Sequence, residues 1–150
     1  MPMDASERAA LRLLNDSVDN QLGPAMFTFL MNKDPEKDQE LIQSLEAALD
    51  ILQDSLLKHR GGGPFLMGKD FTLADIHVLP FFLRLVVSLK HYKKYEIPQD
   101  KYSPLLEWFK LCSERESVLA AAKSDQDIID VYKKFMDMDY AFGGLNKNKQ

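Results

Sequence analysis

The stretch that begins at Phe71 constrains the fold more than any other part of the chain. Thr72 carries a hydroxyl that favours a helix N-cap, and Asp75 follows three positions later. In this spacing the Thr72 hydroxyl can accept the amide of Asp75, while the Asp75 carboxylate accepts the amide of Thr72. Phe71 and Ile76 fall at the N′ and N4 positions of a hydrophobic staple, which fixes how the chain enters a helix. The sequence therefore predicts a helix that starts directly after Thr72.

This predicted helix continues to about Lys90 and carries apolar side chains nearly all round. They are Ile76, Val78, Leu79, Phe81, Phe82, Leu83, Leu85, Val86, Val87 and Leu89. A helix with this pattern belongs in the middle of a bundle. Pro80 lies inside it and should bend it, because proline removes a backbone donor.

The segments before this helix also show helical periodicity. Ser6 can cap a first helix, which the Gly23-Pro24 pair interrupts. Asp34 as a cap and Pro35 as the first helical residue open a long amphipathic helix that runs to about His59. Its apolar residues recur at steps of three and four: Leu41, Leu45, Ala48, Leu52 and Leu56.

The segments after it are helical too. Ser103-Pro104 opens one helix, Glu116 to Ala122 forms a short one, and Ser124 to Asp127 repeats the capping pattern. In the last helix, one face is expected to carry Ile128, Val131, Phe135 and Met138. We find no strand with convincing alternation and no internal repeat. The sequence therefore predicts an all-α bundle of about six or seven helices, with one domain at 1–145 and a flexible polar tail at 146–150.

Composition limits the partners and the compartment. The chain has 150 residues, 45% of them apolar, and a net charge of −4, which gives no electrostatic footprint for nucleic acid or anionic lipid. The basic run from Lys90 to Tyr95 fits the C-terminal end of a helix better than a nucleic-acid site. One cysteine allows no internal disulfide, and neither a membrane span nor a signal peptide is evident. We expect a cytoplasmic protein without nucleic-acid or membrane partners.

The capped central segment carries a family resemblance. Phe65–Gly68, Thr72–Asp75 and Pro80 resemble the core signature of the C-terminal domain of cytosolic glutathione transferases, which is an FLxG loop, an (S/T)LAD cap and a proline. Pro80–Leu85 is similar to a segment of the omega class, and Asp127–Phe135 to the last helix of the omega and lambda classes. The resemblance covers residues 6 to 145 and implies the helical domain of that family.

The resemblance also implies where catalysis resides. In the family, an N-terminal thioredoxin-like domain binds glutathione through a cis-proline and carries the catalytic Ser, Tyr or Cys. No strand-rich segment precedes Ala5 here, so we expect no catalytic residue in this chain. Glutathione is expected only as the co-substrate of a full-length protein, with a thioredoxin-like domain or protein as partner. Whether the chain takes part in an enzyme therefore stays open.

Three residues are candidates for substrate binding. Phe81 and Arg84 match positions that line the acceptor pocket of omega-like members, and Phe135 is a third from the last helix. This chemistry suits an amphipathic thiol partner, because aromatic rings cover apolar surface and a guanidinium can stack on a ring or bind a carboxylate. The alternative is that both phenylalanines are core residues and that Arg84 forms a helix-surface ion pair.

Other reactive side chains favour structural roles. Cys112 shares a face with Leu105, Trp108 and Phe109, which indicates a buried thiol. Asp75 is explained by capping, and His77 by a hydrogen bond inside the bundle. The three histidines show no metal-ligand spacing. The Gly63–Lys69 segment imitates a phosphate loop, but Asp70 replaces the magnesium-binding Ser or Thr and a helix precedes it.

Three functional hypotheses remain from the sequence. The first is the substrate-pocket half of a glutathione-dependent thiol transferase or reductase. The second is an assembly module of the kind found in translation factor complexes, with an apolar patch at Leu13, Met26, Phe27 and Phe81. The third is a carrier of a small apolar ligand, which no residue singles out.

Overall fold

The computed structural model describes residues 4–138, 140–141 and 144–145. Seven α-helices follow in this part of the chain: α1 (Ala5–Ser17), α2 (Gly23–Met31), α3 (Asp38–His59), α4 (Leu73–Lys93), α5 (Gln99–Ser113), α6 (Glu116–Ala121) and α7 (Asp125–Asp137). A π-helix (Val18–Leu22) joins α1 to α2, and a 3₁₀ turn (Pro35–Lys37) precedes α3. The all-α bundle predicted from the sequence is confirmed.

Two short strands, β1 (Tyr140–Ala141) and β2 (Gly144–Leu145), pair antiparallel after α7. Two residues per strand offer no alternation to detect, so the sequence did not predict this pair. The predicted flexible tail at 146–150 lies outside the described residues.

Helix α4 occupies the middle of the bundle, as expected, and contacts α1, α2, α5 and α7. Its buried side chains include Val78, Phe82, Leu85 and Leu89. However, Ile76 is 52% exposed, and Phe81 and Leu83 are only half-buried. The neighbouring helices therefore leave part of the α4 surface open. This open surface carries the candidate site.

The end of α4 is fastened to the corner between α2 and α3. The Lys93 ammonium donates to the Asn32 carbonyl at 2.8 Å and to Asp38 Oδ1 at 3.1 Å. It also lies 5.1 Å from the centre of the Phe29 ring. Because the Lys93 side chain is only 13% exposed, these contacts are shielded from water. They stabilise the packing of the end of α4 against the corner between α2 and α3.

The helix starts differ from expectation in the N-terminal half. Asp4, rather than Ser6, caps α1, and its carboxylate accepts the Ser6 amide at 2.6 Å. Gly23-Pro24 does not interrupt the helical path from α1 to α2. The π-helix precedes this pair, and the Gly23 amide donates to the Val18 carbonyl. Pro24 then lies in the first turn of α2, where a missing amide costs no hydrogen bond.

The C-terminal helices also correct two expectations. Helix α5 begins at Gln99 rather than Ser103, although Tyr102 has the non-helical angles φ −116° and ψ 26°. Pro104 therefore starts a second regular segment within α5. On α7 the buried residues are Ile128 and Tyr132, whereas Val131 is 40% and Met138 is 53% exposed.

Candidate functional site

The start of α4 is organised around one buried carboxylate. Asp75 Oδ1 accepts the Leu66 amide at 3.0 Å and the Trp108 indole N–H at 2.8 Å. Its Oδ2 accepts the Thr72 amide at 2.8 Å and the Thr72 hydroxyl at 3.3 Å. The Thr72 hydroxyl in turn accepts backbone amides of the first turn, which completes a capping box. Asp75 thus joins the preceding loop, α4 and α5, a structural task that accounts for its burial.

The two predicted staple residues, Phe71 and Ile76, lie in different surroundings. Phe71 packs edge-on to Phe65, with ring centres 5.6 Å apart, and the Arg115 guanidinium lies 4.2 Å from its ring centre. Ile76 is half-exposed on the open surface of α4. Both side chains line the groove described below.

The loop before α4 uses its backbone internally. Phe65 and Gly68 exchange two amide-to-carbonyl bonds, of 3.0 and 3.2 Å, and the Leu66 amide is taken by Asp75. A Cβ atom added to Gly63 would lie 2.2 Å from the Gly68 carbonyl carbon. The absence of a side chain at Gly63 therefore allows two backbone segments of the loop to pack in contact. Close backbone packing thus accounts for glycines that imitate a phosphate loop.

The structure brings two of the three predicted substrate residues together. Phe81 and Arg84 lie one turn apart on α4, and the Arg84 guanidinium carbon is 5.9 Å from the Phe81 ring centre. Phe81 is half-buried and Arg84 is exposed. In the described residues Arg84 forms no ion pair, which is the opposite of the helix-surface alternative. We call the surface around Phe81 and Arg84 the Phe81 face.

Phe135 lies on α7 in an aromatic cluster. Its ring centre is 6.2 Å from that of Phe27 and 5.9 Å from that of Tyr132. Burial raises the pKa of the Tyr132 hydroxyl, and the positive charge of Arg84 offsets part of that rise. Arg84 therefore lies close enough to this cluster for its charge to act on it.

A histidine–aspartate pair borders the Phe81 face. His77 Nε2 lies 2.9 Å from Asp19 Oδ1 in the π-helix, and the His77 ring centre is 5.7 Å from that of Phe81. The pair is partly exposed, so the expectation that His77 bonds inside the bundle was wrong. Sequence reasoning missed this pair because 58 positions separate its members. Gly23 lies against the Phe81 ring, because a Cβ atom added to this glycine would be 3.4 Å from Phe81 Cε1.

An apolar groove of about 500 Å³ opens between α4, α6 and the start of α7. Its lining residues are Phe71, Ile76, Leu79, Pro80, Leu83, Arg84, Ser117, Val118, Ala121, Ala122, Lys123 and Ile128. We call it the α4–α6 groove. The sequence offered no signal for it, because the groove is created by the packing of three helices. Arg84 belongs both to this groove and to the Phe81 face.

The thiol of Cys112 is fully buried. Burial raises its pKa to about 12, the charge of Asp75 adds to the rise, and Arg115 offsets part of it. Since the thiolate is the nucleophilic form, Cys112 is inert at neutral pH. The structural role expected for it agrees with this environment.

Neither a metal-binding cluster nor a membrane-spanning helix is found in the described residues. No group of three or more His, Cys, Asp or Glu side chains in this part of the chain could hold a metal ion. No described helix combines the length and the apolar character required to cross a membrane.

The predicted apolar patch is only partly present. Leu13 is 72% exposed and Phe81 half-exposed, but Met26 and Phe27 are buried, with 3% and 6% of their surfaces accessible. Phe27 is covered because its ring packs against Tyr132 and Phe135 of α7. The expectation of an open face at Met26 and Phe27 was therefore wrong.

A central helix capped by a buried aspartate within an all-α bundle defines a glutathione transferase type of helical domain. Residues 17–119 match the family model of the glutathione S-transferase C-terminal domain, and the chain belongs to this family.

Individual relatives agree with this assignment. The chain is 34% identical over 84 residues to the probable glutathione S-transferase DHAR1, cytosolic, of Oryza sativa, a match that covers 56% of this chain and 37% of the relative. The chain spans about two fifths of the length of the first curated relatives that it matches.

Two solved structures show the same architecture. Glutathione transferase Omega 3C from Trametes versicolor superposes with a TM-score of 0.75 and 28% identity, over 91% of this chain and 55% of that one. The dehydroascorbate reductase of Chlamydomonas reinhardtii gives a TM-score of 0.65 at 20% identity, over 77% of this chain and 54% of that one. The second likeness concerns the fold alone.

Proposed function

We propose that this chain is the substrate-pocket domain of a glutathione-dependent thiol transferase or reductase with omega-like character. The observation that carries the proposal is the arrangement of Phe81 and Arg84 on the open surface of α4, where the charge of Arg84 acts on Tyr132, a ring neighbour of Phe135. The rice relative named DHAR1 and the omega structure support the same class. The rice relative's name also supports a cytosolic location.

Each of the three side chains has a defined task in this proposal. Phe81 supplies a flat apolar surface for the body of the acceptor, and Phe135 limits the site from α7. Arg84 has no carboxylate partner in the described residues, so its guanidinium is available for a carboxylate or another anionic oxygen of the substrate. An unpaired guanidinium beside an aromatic ring is suited to an amphipathic, negatively charged molecule.

The reactive group would come from a thioredoxin-like domain. In the proposed reaction, a cysteine thiolate of that domain attacks the glutathionyl sulfur of a mixed disulfide, which forms a cysteine–glutathione disulfide and expels the substrate thiolate. A second glutathione thiolate attacks this disulfide, which regenerates the cysteine thiolate and releases glutathione disulfide. For an oxidised substrate, two glutathione molecules supply the two electrons and two protons and leave as glutathione disulfide. Cys112 cannot replace that cysteine, because its thiol is buried and protonated at neutral pH. The 150-residue chain alone is therefore expected to show no glutathione-dependent turnover.

A hybrid enzyme tests the proposal. The segment of the rice relative that precedes its matched region is fused to residues 5–145 of this chain. Glutathione-dependent reduction of dehydroascorbate and of hydroxyethyl disulfide is then measured. We expect turnover by the hybrid, and a fall in kcat/KM of about tenfold or more for Arg84→Ala. Arg12→Ala, an exposed arginine on α1, is the matched control and should leave kcat/KM unchanged.

The outcomes separate clearly. A folded hybrid without turnover on either substrate would contradict the transferase proposal. Equal effects of Arg84→Ala and Arg12→Ala would remove Arg84 from the substrate site while leaving the class of enzyme standing.

An assembly module is the second candidate, favoured by the exposure of Leu13 on α1. Large apolar side chains at the surface favour association with a partner. Light scattering at increasing protein concentration distinguishes this function: association that Leu13→Ser abolishes supports it, and a monomer at all concentrations contradicts it.

A further inference from the structure

Two polar side chains of α4 border the Phe81 ring. His77, Phe81 and Arg84 follow one another at steps of four and three, so they form one row along the helix. The His77 ring centre is 5.7 Å from that of Phe81 at an interplanar angle of 43°, and the Arg84 guanidinium carbon is 5.9 Å away. Side chains of a helix lean towards its N-terminus, so the Phe81 ring rests on His77.

The π-helix Val18–Leu22 approaches the same ring by two routes. Asp19 Oδ1 lies 2.9 Å from His77 Nε2, and because a carboxylate oxygen only accepts, the imidazole donates from Nε2. Gly23 follows the π-helix, and a Cβ atom added to it would lie 3.4 Å from Cε1 and 3.7 Å from Cδ1 of Phe81. The φ of Gly23 is −58°, which any residue adopts, so this glycine makes room for the ring by lacking a side chain.

The bond to Asp19 restricts the imidazole. The His77 side chain is 33% exposed, so without a partner it could change rotamer, and the half-buried Phe81 ring could follow it. Asp19 belongs to a different element, and its carboxylate therefore ties the imidazole to a position set by the π-helix. Single π-helical turns are frequent at functional sites, where they place a side chain that a regular helix would direct elsewhere.

We propose that Asp19 and His77 are positioning residues for Phe81. The Asp19 carboxylate holds the imidazole, and the imidazole holds the Phe81 ring in the orientation in which the ring receives the acceptor. The effect on the acceptor rests on the proposed function, whereas the effect on the ring does not. All of these contacts lie within this chain, whichever part of it a thioredoxin-like domain covers.

The environment of the ring is measured by ¹⁹F NMR of the chain labelled with 4-fluorophenylalanine. The Phe81 signal is identified by its loss in Phe81→Leu. We expect this signal to move in Asp19→Ala and in His77→Phe, because each change breaks the bond between the π-helix and α4. In the His77→Phe background, Asp19→Ala should cause no further movement, since the carboxylate then has no imidazole to hold.

Asp16→Ala is the matched control. Asp16 is also an exposed carboxylate, one turn before Asp19, and it accepts from Asn20 Nδ2 at 2.7 Å. Its removal should leave the Phe81 signal in place. The remaining ¹⁹F signals report whether each variant is folded.

The hybrid enzyme provides the second measurement. Asp19→Ala should raise KM for dehydroascorbate about threefold, the size expected of a partly exposed charged contact, and leave kcat nearly unchanged. The reason is that the acceptor meets a less ordered ring while the reacting groups are untouched. A merely structural role would instead reduce the fraction of active enzyme, which lowers kcat and leaves KM as it was. Asp16→Ala should alter neither constant.

Two NMR results would overturn the positioning role. They are a Phe81 signal that stays in place in Asp19→Ala, and an equal movement of that signal by Asp19→Ala with and without His77. An unchanged KM in an active hybrid would refute the effect on the acceptor and leave the proposed function standing. A hybrid without turnover contradicts the proposed function, while the ¹⁹F signals still decide whether the pair holds the ring.

Discussion

The indole N–H of Trp108 donates to Asp75 Oδ1 over 2.8 Å, and both side chains are almost completely shielded from solvent. This bond links the first turn of α4 to the middle of α5. It means that a capping residue, usually a local device, also fixes the position of a second helix. Packing at the centre of the bundle therefore depends on the charge and shape of one carboxylate.

Asp75→Asn should destabilise the fold strongly. An amide at this position retains one acceptor oxygen and turns an NH₂ group towards donors, so buried N–H groups lose their partners. We expect a loss of about 2–4 kcal/mol in the free energy of unfolding, measured by urea denaturation. Asp127→Asn is the matched control, because Asp127 makes the same capping bonds on α7 at an exposed site. It should cost less than about 1 kcal/mol, and equal losses would contradict the special role of Asp75.

Gly63→Ala should also destabilise the chain, because the new methyl group would collide with the backbone of Gly68 and Lys69. Backbone atoms cannot move aside as a flexible side chain does, and we expect a loss of more than about 2 kcal/mol. Gly62→Ala is the comparison: Gly62 has φ +84° but open space around it, so only the backbone conformation is strained. Its loss should be about 1 kcal/mol. Thermal unfolding of the two variants decides the order.

Cys112 should be inert towards a thiol reagent such as 5,5′-dithiobis(2-nitrobenzoate) in the folded chain at pH 8. The same thiol should react at once in urea, because unfolding removes the burial that keeps it protonated. Rapid labelling of the folded chain would contradict the assigned environment.

The raised pKa of Cys112 also affects alkaline stability. A thiol ionises near pH 8.5 when unfolded and near pH 12 in the fold, so the unfolded state releases the proton first as the pH rises. Its contribution to stability is complete below about pH 8.5 and is lost progressively towards pH 12. Urea midpoints should therefore fall less steeply between pH 9 and 11 in Cys112→Ala than in the parent chain. Parallel slopes would count against this assignment.

Phe81→Ala and Phe82→Ala should separate binding from folding. Phe82 is fully buried against Trp108, with ring centres 5.6 Å apart, so its truncation should cost about 3–5 kcal/mol. Phe81 is half-exposed, and its truncation should cost clearly less while lowering kcat/KM of the hybrid enzyme. Urea denaturation and dehydroascorbate reduction provide the two measurements. Loss of activity in Phe82→Ala alone, in a folded sample, would shift the acceptor site away from Phe81.

The features that the sequence predicted are those with local causes. Thr72 and Ser124 begin helices because each has an aspartate three residues later, and both capping boxes are present. Asp34 and Pro35 open the path into α3 for another local reason: the Asp34 side chain caps the 3₁₀ turn, and Pro35 occupies its first position. By contrast, Asp4 takes the cap expected of Ser6, since both residue types favour that position and the pattern cannot choose between them.

The features that the sequence did not predict depend on distant contacts. His77 is hydrogen-bonded to Asp19, which is 58 positions away in the sequence, and Trp108 donates to Asp75, which is 33 positions away. The α4–α6 groove combines side chains of three helices, and a hydrophobic pattern cannot show which apolar residues of α4 remain uncovered. Phe81 and Arg84 were assigned to one pocket by the family resemblance, but the absence of an ion pair at Arg84 among the described residues required the structure.

Helix α4 is anchored at both of its ends. Asp75 ties its start to the preceding loop and to α5, and Lys93 ties its end to the corner between α2 and α3. A sliding or tilting motion of α4 would have to break both sets of bonds at once. The backbone of α4 is therefore rigid. A molecule that binds to either of its open sides must be accommodated by rotations of individual side chains, and the backbone stays in place.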